Sequence, residues 1–341
     1  DLNGYRPEGI ARLDSTIRNG RRSSAAVAHL KPPLKRSNLD LVTHALANRI
    51  VIEKGHAVGV EYEKNGVKRQ ARASHSVIIS CGAIKTPQLL MLSGIGPAAH
   101  LESLGIPVVQ DLPGVGKNLR DHPSAAVIYR AAGEKPDLQA PVIQVGLRYT
   151  IEGSDLRNDM QLSPMLMTSE HRPAQVVVDD DANYIGMSAS LQLALGAGEL
   201  TLTSTDPHVQ PFLNYNYYQE PEDLRRMREA IRLGVRLAES PEFSAILLDR
   251  VIPTDEDLAS DTTLDDWLRK NSGTSHHISG TCKMGVDSDH MAVVNQYGRV
   301  RGIEGLRVAD ASIMPDCIRA NTNATTIMIG ERVSDFIKEG R

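Results

Sequence analysis

Cysteine is scarce: Cys81, Cys282 and Cys317 are the only three in 341 residues. Their odd number and wide spacing, without a CxxC, argue against a disulfide framework or a structural zinc site and fit a reducing, cytoplasmic compartment. They read as small buried residues. Long apolar runs are also missing, so no segment has the length to span a bilayer as a helix. Excess charge is missing too. A formal net charge of −4 gives no general electrostatic grip on nucleic acid. His44, His56, His75, His208 and His290 lack paired metal-ligand spacing, and no metal is expected. There is no internal repeat. The chain opens Asp1-Leu2-Asn3-Gly4, without an initiator Met or a signal peptide, and reads as mid-domain sequence. A preceding N-terminal region is therefore expected.

What is present divides into three stretches. Residues 1–38 are polar, with Asn19 to Ala26 able to open a short helix near Ser23 and Ser24. From Leu41-Val42-Thr43 the pattern turns to β. Arg49–Glu53, Val58–Glu63 and Val67–Gln70 alternate around Lys54-Gly55 and the hairpin signal Asn65-Gly66, which predicts an antiparallel meander. Ser76–Ser80 is continuous and apolar, as a strand buried on both faces requires. Thr86-Pro87 then opens a helix ended by Ser93-Gly94. Beyond His122 the texture is largely antiparallel β, with Ala125–Tyr129, Gln175–Val178 and Glu199–Thr203 as strands, and a helix over 221–239. Gly305–Asp310 reads as a strand ending at an acid. A closing helix over 324–338 should bury Ile327, Met328, Val333 and Ile337.

Three motifs carry the functional signal. They are Gly82 through Thr86-Pro87 to Ser93-Gly94-Ile95-Gly96; Leu112-Pro113-Gly114-Val115-Gly116 to Asp121-His122; and His277-Ile278-Ser279-Gly280-Thr281-Cys282 through Ala309-Asp310-Ala311 to Asn321-Thr322-Asn323-Ala324-Thr325. Together they resemble the signatures of the glucose–methanol–choline oxidoreductases. The resemblance runs over nearly the whole chain and is weakest at 123–200. It implies an α/β and α+β architecture: part of an FAD-binding Rossmann-like domain at 1–122, an antiparallel-sheet substrate domain at 123–270, and a return to the first domain at 271–341. It also implies FAD as cofactor and a small-molecule alcohol as substrate.

Within that resemblance, His277 is the catalytic histidine. A neutral imidazole can take a hydroxyl proton near working pH. Adjacent residues of an extended segment point opposite ways, so only one of His276 and His277 should face the flavin, and the spacing to Gly280-Thr281-Cys282 selects His277. Asn323 matches a position that the family fills with His or Asn. Its amide can donate to the substrate oxygen but cannot take a proton, so base duty falls on His277. Asn323 also stands where a helix should begin and could cap it. The N–H groups of Ala324 and Thr325 at that helix start would face the flavin pyrimidine. Asp310 and Ala311 are implied at the ribityl–pyrophosphate part of FAD, and Ala47 at the adenine. Asp121-His122 corresponds to a structural link in the family and is assigned no chemistry.

The strand–GxGxxG–helix fingerprint that should cradle the pyrophosphate has no counterpart here. Gly94-Ile95-Gly96 and Gly114-Val115-Gly116 are the nearest, and neither sits between a strand and a helix in the required way. The expected activity is oxidation of an alcohol to an aldehyde or ketone with hydride transfer to flavin. The alternatives are a hydroxynitrile lyase of the same family or a truncated, non-catalytic half. The electron acceptor and the oligomeric state are not specified by the sequence. An aromatic content of 4%, with Trp267 the single tryptophan, gives no support to a stacked cage around a quaternary ammonium.

Overall fold

The computed structural model describes residues 2, 4, 8–134, 137, 140–167 and 182–341. The strand expected at Gln175–Val178 lies outside the described residues. Two main hydrophobic cores organise the rest.

The first core gathers the meander, the strand–helix unit and the chain's final segment. Strands Ala45–Glu53, His56–Lys64 and Val67–Arg72 form the three-stranded antiparallel sheet that the alternation predicts. The hairpin turn puts Asn65 and Gly66 at φ of 54° and 74°, the left-handed pair that an Asn-Gly turn supplies. Leu41-Val42-Thr43, expected to be β, is irregular and exposed, because no partner strand reaches it.

Strand Val77–Ile79 pairs in parallel with Leu306–Val308, and the two, far apart in sequence, become neighbours only through the fold. Val77 and Ile79 are buried, but Ile78 is 45% exposed, so burial on both faces does not hold. With a single strand paired to it, Val77–Ile79 has one face covered and one open. The following helix begins at Gly82, four residues before the expected start at Thr86. Gly82 has φ 78° and turns the chain from strand to helix, a conformation that suits glycine.

The second core lies between a seven-stranded antiparallel sheet and the helix Pro221–Ala238. The sheet runs Gly9–Arg12, Val145–Tyr149, Met160–Leu166, Asn183–Leu191, Pro123–Ala131 and Leu247–Ile252, with Gly273–Thr274 also on Pro123–Ala131. Met227, Ala230 and Ile231 of the helix are fully buried. Each large side chain so removed from water contributes about 1.5–3 kcal/mol. Gly234 of the helix faces Val127, Leu162 and Met187 of the sheet.

Two stretches cross the stretches drawn from the sequence. Gly9–Arg12 joins this second sheet, and Leu200 and Leu202 pack in the first core. The closing helix spans Thr322–Lys338. It buries Ile329 and Val333, whereas Met328 and Ile337 are exposed and Ile327 is only partly covered. A stripe spaced by four residues faces the core, narrower than the four residues expected. Of the cysteines, Cys282 is buried, Cys317 half-buried and Cys81 exposed, so the expectation of burial fails for Cys81 at the strand end. All three are free thiols.

Candidate active site

His277 lies in the extended segment that follows the helix Asp261–Asn271. His276 before it has φ 60°, unusual for a residue with a Cβ. This left-handed kink, rather than strand alternation, separates the two imidazoles. His276 is exposed and its N–H donates to Thr274 Oγ1 at 2.9 Å, while His277 is half-buried.

The backbone N–H of His277 donates to Asp121 Oδ1 at 3.1 Å. The Tyr217 hydroxyl donates to the other oxygen, Oδ2, at 2.5 Å. Asp121 is 4% exposed, and these bonds offset the cost of burying a carboxylate. His122 places Nδ1 2.9 Å from Nδ1 of His277 and Nε2 2.9 Å from the Ile318 carbonyl oxygen. The two rings meet edge to face, centroids 5.0 Å apart. Asp121-His122, expected to serve as a link without chemistry, thus touches His277 through both members. The contact joins residues 155 positions apart, so no local pattern reveals it. Burial pushes the His277 pKa below the ordinary histidine value; Asp121 opposes the shift and His276 adds to it. This favours the neutral imidazole, the form able to accept a proton.

The Gly82–Pro87 motif explains how this segment is held. Pro87 sits inside the helix Gly82–Leu92 and has no N–H for the carbonyl of Ala83 one turn back. The Thr281 hydroxyl fills that vacancy, donating to Ala83 O at 2.6 Å, and Thr281 is fully buried. Asp310 ties the same turn from another side. Its carboxylate accepts from Gly82 N at 3.0 Å, Thr86 Oγ1 at 2.6 Å and Ser312 N at 2.8 Å. Segment 280–284 then runs beside 311–313 through Gly280 N to Ala311 O, Cys282 N to Ser312 O and Met284 N to Ile313 O, at 3.1, 2.8 and 2.9 Å. The Leu112–Gly116 turn joins this bundle, with Gly116 N donating to Thr281 O at 2.8 Å. All three sequence motifs therefore meet in one hydrogen-bonded unit.

Asn323 does not cap the last helix. Helical geometry starts at Thr322, the cap position falls to Asn321, and the Asn321 side chain makes no capping hydrogen bond. Asn323 lies in the first turn, exposed, as is Ala324, with Thr325 half-buried. The N–H groups of a first turn have no partner within the helix. This helix packs against the 311–313 segment, which connects it through the bonds above to the chain beyond His277. Asp310 and Ala311 are buried, 4% and 9% exposed, and the Asp310 carboxylate accepts three bonds from the protein. Ala47 lies in the meander, half-buried opposite Tyr62, beside a bulge at Asn48. A cavity of about 610 Å³ opens at the far end of strand Leu306–Val308, lined by His56, His75, Arg299, Arg301 and Gly305. None of the predicted site residues lines it. Among the described residues no cluster of His, Cys, Asp and Glu could hold a metal ion, and no helix is long and apolar enough to cross a membrane.

Two models of one family, GMC oxidoreductase, match the sequence, an N-terminal one over residues 1–124 and a C-terminal one over 195–330. The chain belongs to the GMC oxidoreductase family. It is 37% identical over 359 aligned positions to the oxygen-dependent choline dehydrogenase of Rhizobium etli, an alignment covering 99% of this chain and 65% of the relative. The corresponding protein of Burkholderia multivorans is 38% identical over 361 positions, covering 99% and 63%. The chain thus spans about two thirds of the length of the curated relatives it matches. Among solved structures, pyridoxine 4-oxidase from Mesorbium loti superposes with a TM-score of 0.88 at 24% identity, covering 97% of this chain and 65% of that one. Aspergillus oryzae formate oxidase gives 0.89 at 24%, covering 98% and 66%. These structures establish the same GMC fold, mixed α/β with antiparallel sheets.

Proposed function

We propose that this chain carries the proton-accepting half of an FAD-dependent alcohol oxidoreductase. The observation that carries the reading is His277. It is half-buried with its pKa held below the ordinary histidine value, its backbone is pinned by Asp121, and the segment that follows it is bonded to 311–313, against which the helix carrying Asn323 packs.

The residues present fit one part of FAD. The uncapped start of the helix Thr322–Lys338 offers unpaired N–H groups and a positive dipole end at exposed residues, which suits the electron-rich pyrimidine edge. Ala324 and Thr325 would supply these N–H groups. Because the Asp310 carboxylate already accepts three bonds from the protein, Asp310 and Ala311 would contribute chiefly backbone groups. Ala47 would offer backbone beside its bulge. No strand–GxGxxG–helix cradle for a pyrophosphate occurs among the described residues.

Bound FAD supplies the acceptor for the hydride leaving the alcohol carbon. His277 takes the hydroxyl proton. The Asn323 amide donates to the oxygen as negative charge develops there, a contribution of the oxyanion-hole kind. The substrate class is a small alcohol, and choline is the first compound to try because the curated relatives named above are choline dehydrogenases.

The test is anaerobic single-turnover bleaching of the flavin in the FAD-loaded protein. His277→Ala should slow it by roughly 10²–10⁴-fold, the usual worth of a positioned proton acceptor. Unchanged bleaching would remove His277 from the role. Cyanide release from a cyanohydrin without any bleaching by alcohols would replace oxidation by lyase chemistry.

A further inference from the structure

His122 is the second histidine of the site, 1% exposed, and it touches His277 directly. Its surroundings leave little freedom about where protons sit. A backbone carbonyl only accepts, so the His122 nitrogen facing Ile318 O must be the donor, and Nε2 carries the hydrogen. A neutral imidazole has one N–H, so His122 Nδ1 is then bare and accepts. The group 2.9 Å from it is Nδ1 of His277, which must donate. His277 is left with its lone pair on Nε2.

We propose that His122 is a positioning residue that fixes His277 as the Nδ1–H tautomer, so that Nε2 of His277 is the nitrogen available to take a proton. The chain of bonds runs from Ile318 O through both rings to that nitrogen. The consequence for turnover rests on the reading of His277 as the base, but the tautomer itself does not.

The anchor of the relay is held in place. Asn118 Nδ2 donates to Pro315 O at 3.2 Å, Arg120 pairs with Asp316, and Cys317 Sγ sits 3.6 Å from Asp121 O. Together they keep the Ile318 carbonyl where His122 Nε2 can reach it. The neutral state that the argument needs is also favoured. Burial, followed by the field of His277, pushes His122 down to about 3, with Arg148 acting in the same direction and the backbone of Ile318 and Gln192 opposing. A doubly protonated His122 would donate from both nitrogens. It would force His277 to accept at Nδ1, place the hydrogen on Nε2 and abolish the base. The groups that face the pair are Asp121, His276 and Arg148, and one of them, Asp121, is an acid that holds the His277 backbone.

The experiment is long-range ¹H–¹⁵N correlation on the chain labelled with ¹⁵N-histidine, at pH 7.5, with His277 assigned by loss of its signals in His277→Gln. The expected result is a pyridine-like Nε2 and a pyrrole-like Nδ1 for His277, and the reverse pattern for His122. A pyridine-like Nδ1 on His277, or two protonated nitrogens on either ring, would overturn the proposal. His122→Phe removes the acceptor, so the His277 pattern should no longer be a single Nδ1–H form; an unchanged pattern would equally overturn it. In the FAD-loaded protein His122→Phe should lower kcat by roughly 10²–10⁴-fold with KM little changed, as expected when a base presents the wrong tautomer. Because the spectra are read without turnover, they can fail while His277→Ala still slows bleaching, or hold while it does not.

Discussion

Replacing Thr281 by valine tests the physical account of the Gly82–Pro87 motif. Valine keeps the shape and removes only the hydroxyl that donates to Ala83 O at 2.6 Å. That carbonyl has lost its helical partner because residue 87 is proline. Thr281 is fully buried, so water offers no ready substitute. An orphaned buried carbonyl costs about 1–3 kcal/mol. Thr281→Val should therefore lower stability by about 2 kcal/mol in urea unfolding followed by circular dichroism. The decisive measurement is the same substitution in a Pro87→Ala background. Alanine at 87 restores an amide N–H one turn after Ala83 and satisfies the carbonyl from within the helix. There Thr281→Val should cost less than about 1 kcal/mol, a coupling within the range found for directly interacting residues. Equal losses in both backgrounds would refute the idea that the threonine stands in for the missing helical bond.

Arg226 is fully buried between Asp159 and Asp223, themselves 0% and 2% exposed. Arg226→Met leaves two buried carboxylates with neutral donors but no cation and should cost about 3–5 kcal/mol in thermal or urea unfolding at pH 7; a loss under about 1 kcal/mol would contradict the charge argument. His122 and His277 both have folded pKa values below their unfolded ones. Their neutral forms therefore stabilise the fold fully above pH 6.5, and that stability declines as the pH falls toward about 3, where His122 itself charges. A pH series of urea midpoints should show this acid loss, and His122→Phe should flatten it; a wild-type midpoint that rises on acidification through this window would reverse the sign and defeat the reasoning.

Local signals made much of the fold legible. The Asn65-Gly66 turn, the alternation around it and the apolar stripe of Pro221–Ala238 each depend on neighbours within a few residues, and each formed where expected. The helix after Cys81 started early, because a glycine at φ 78° could begin it before the Thr-Pro signal. The closing helix buried a narrower face than its apolar residues suggest, since which of them meet the core depends on what packs there. Asn323 missed the cap because Thr322 already has helical geometry.

The site divides in the same way. His277 is proposed from its own neighbours, Gly280-Thr281-Cys282, and Asn323 from the motif around it, because residue types in fixed local spacing are written in the chain. That Asp121-His122 would press against His277 could not be read there. The pairs that decide it are 155 or 156 residues apart, and those joining Thr281 to Ala83 and Asp310 to Gly82 are 198 and 228 apart. Which residue type stands at each position, and hence what proton chemistry is possible, was set by the sequence alone. Which nitrogen faces which carbonyl was decided only when packing brought distant segments within 3 Å and burial left each buried donor and acceptor in need of a partner.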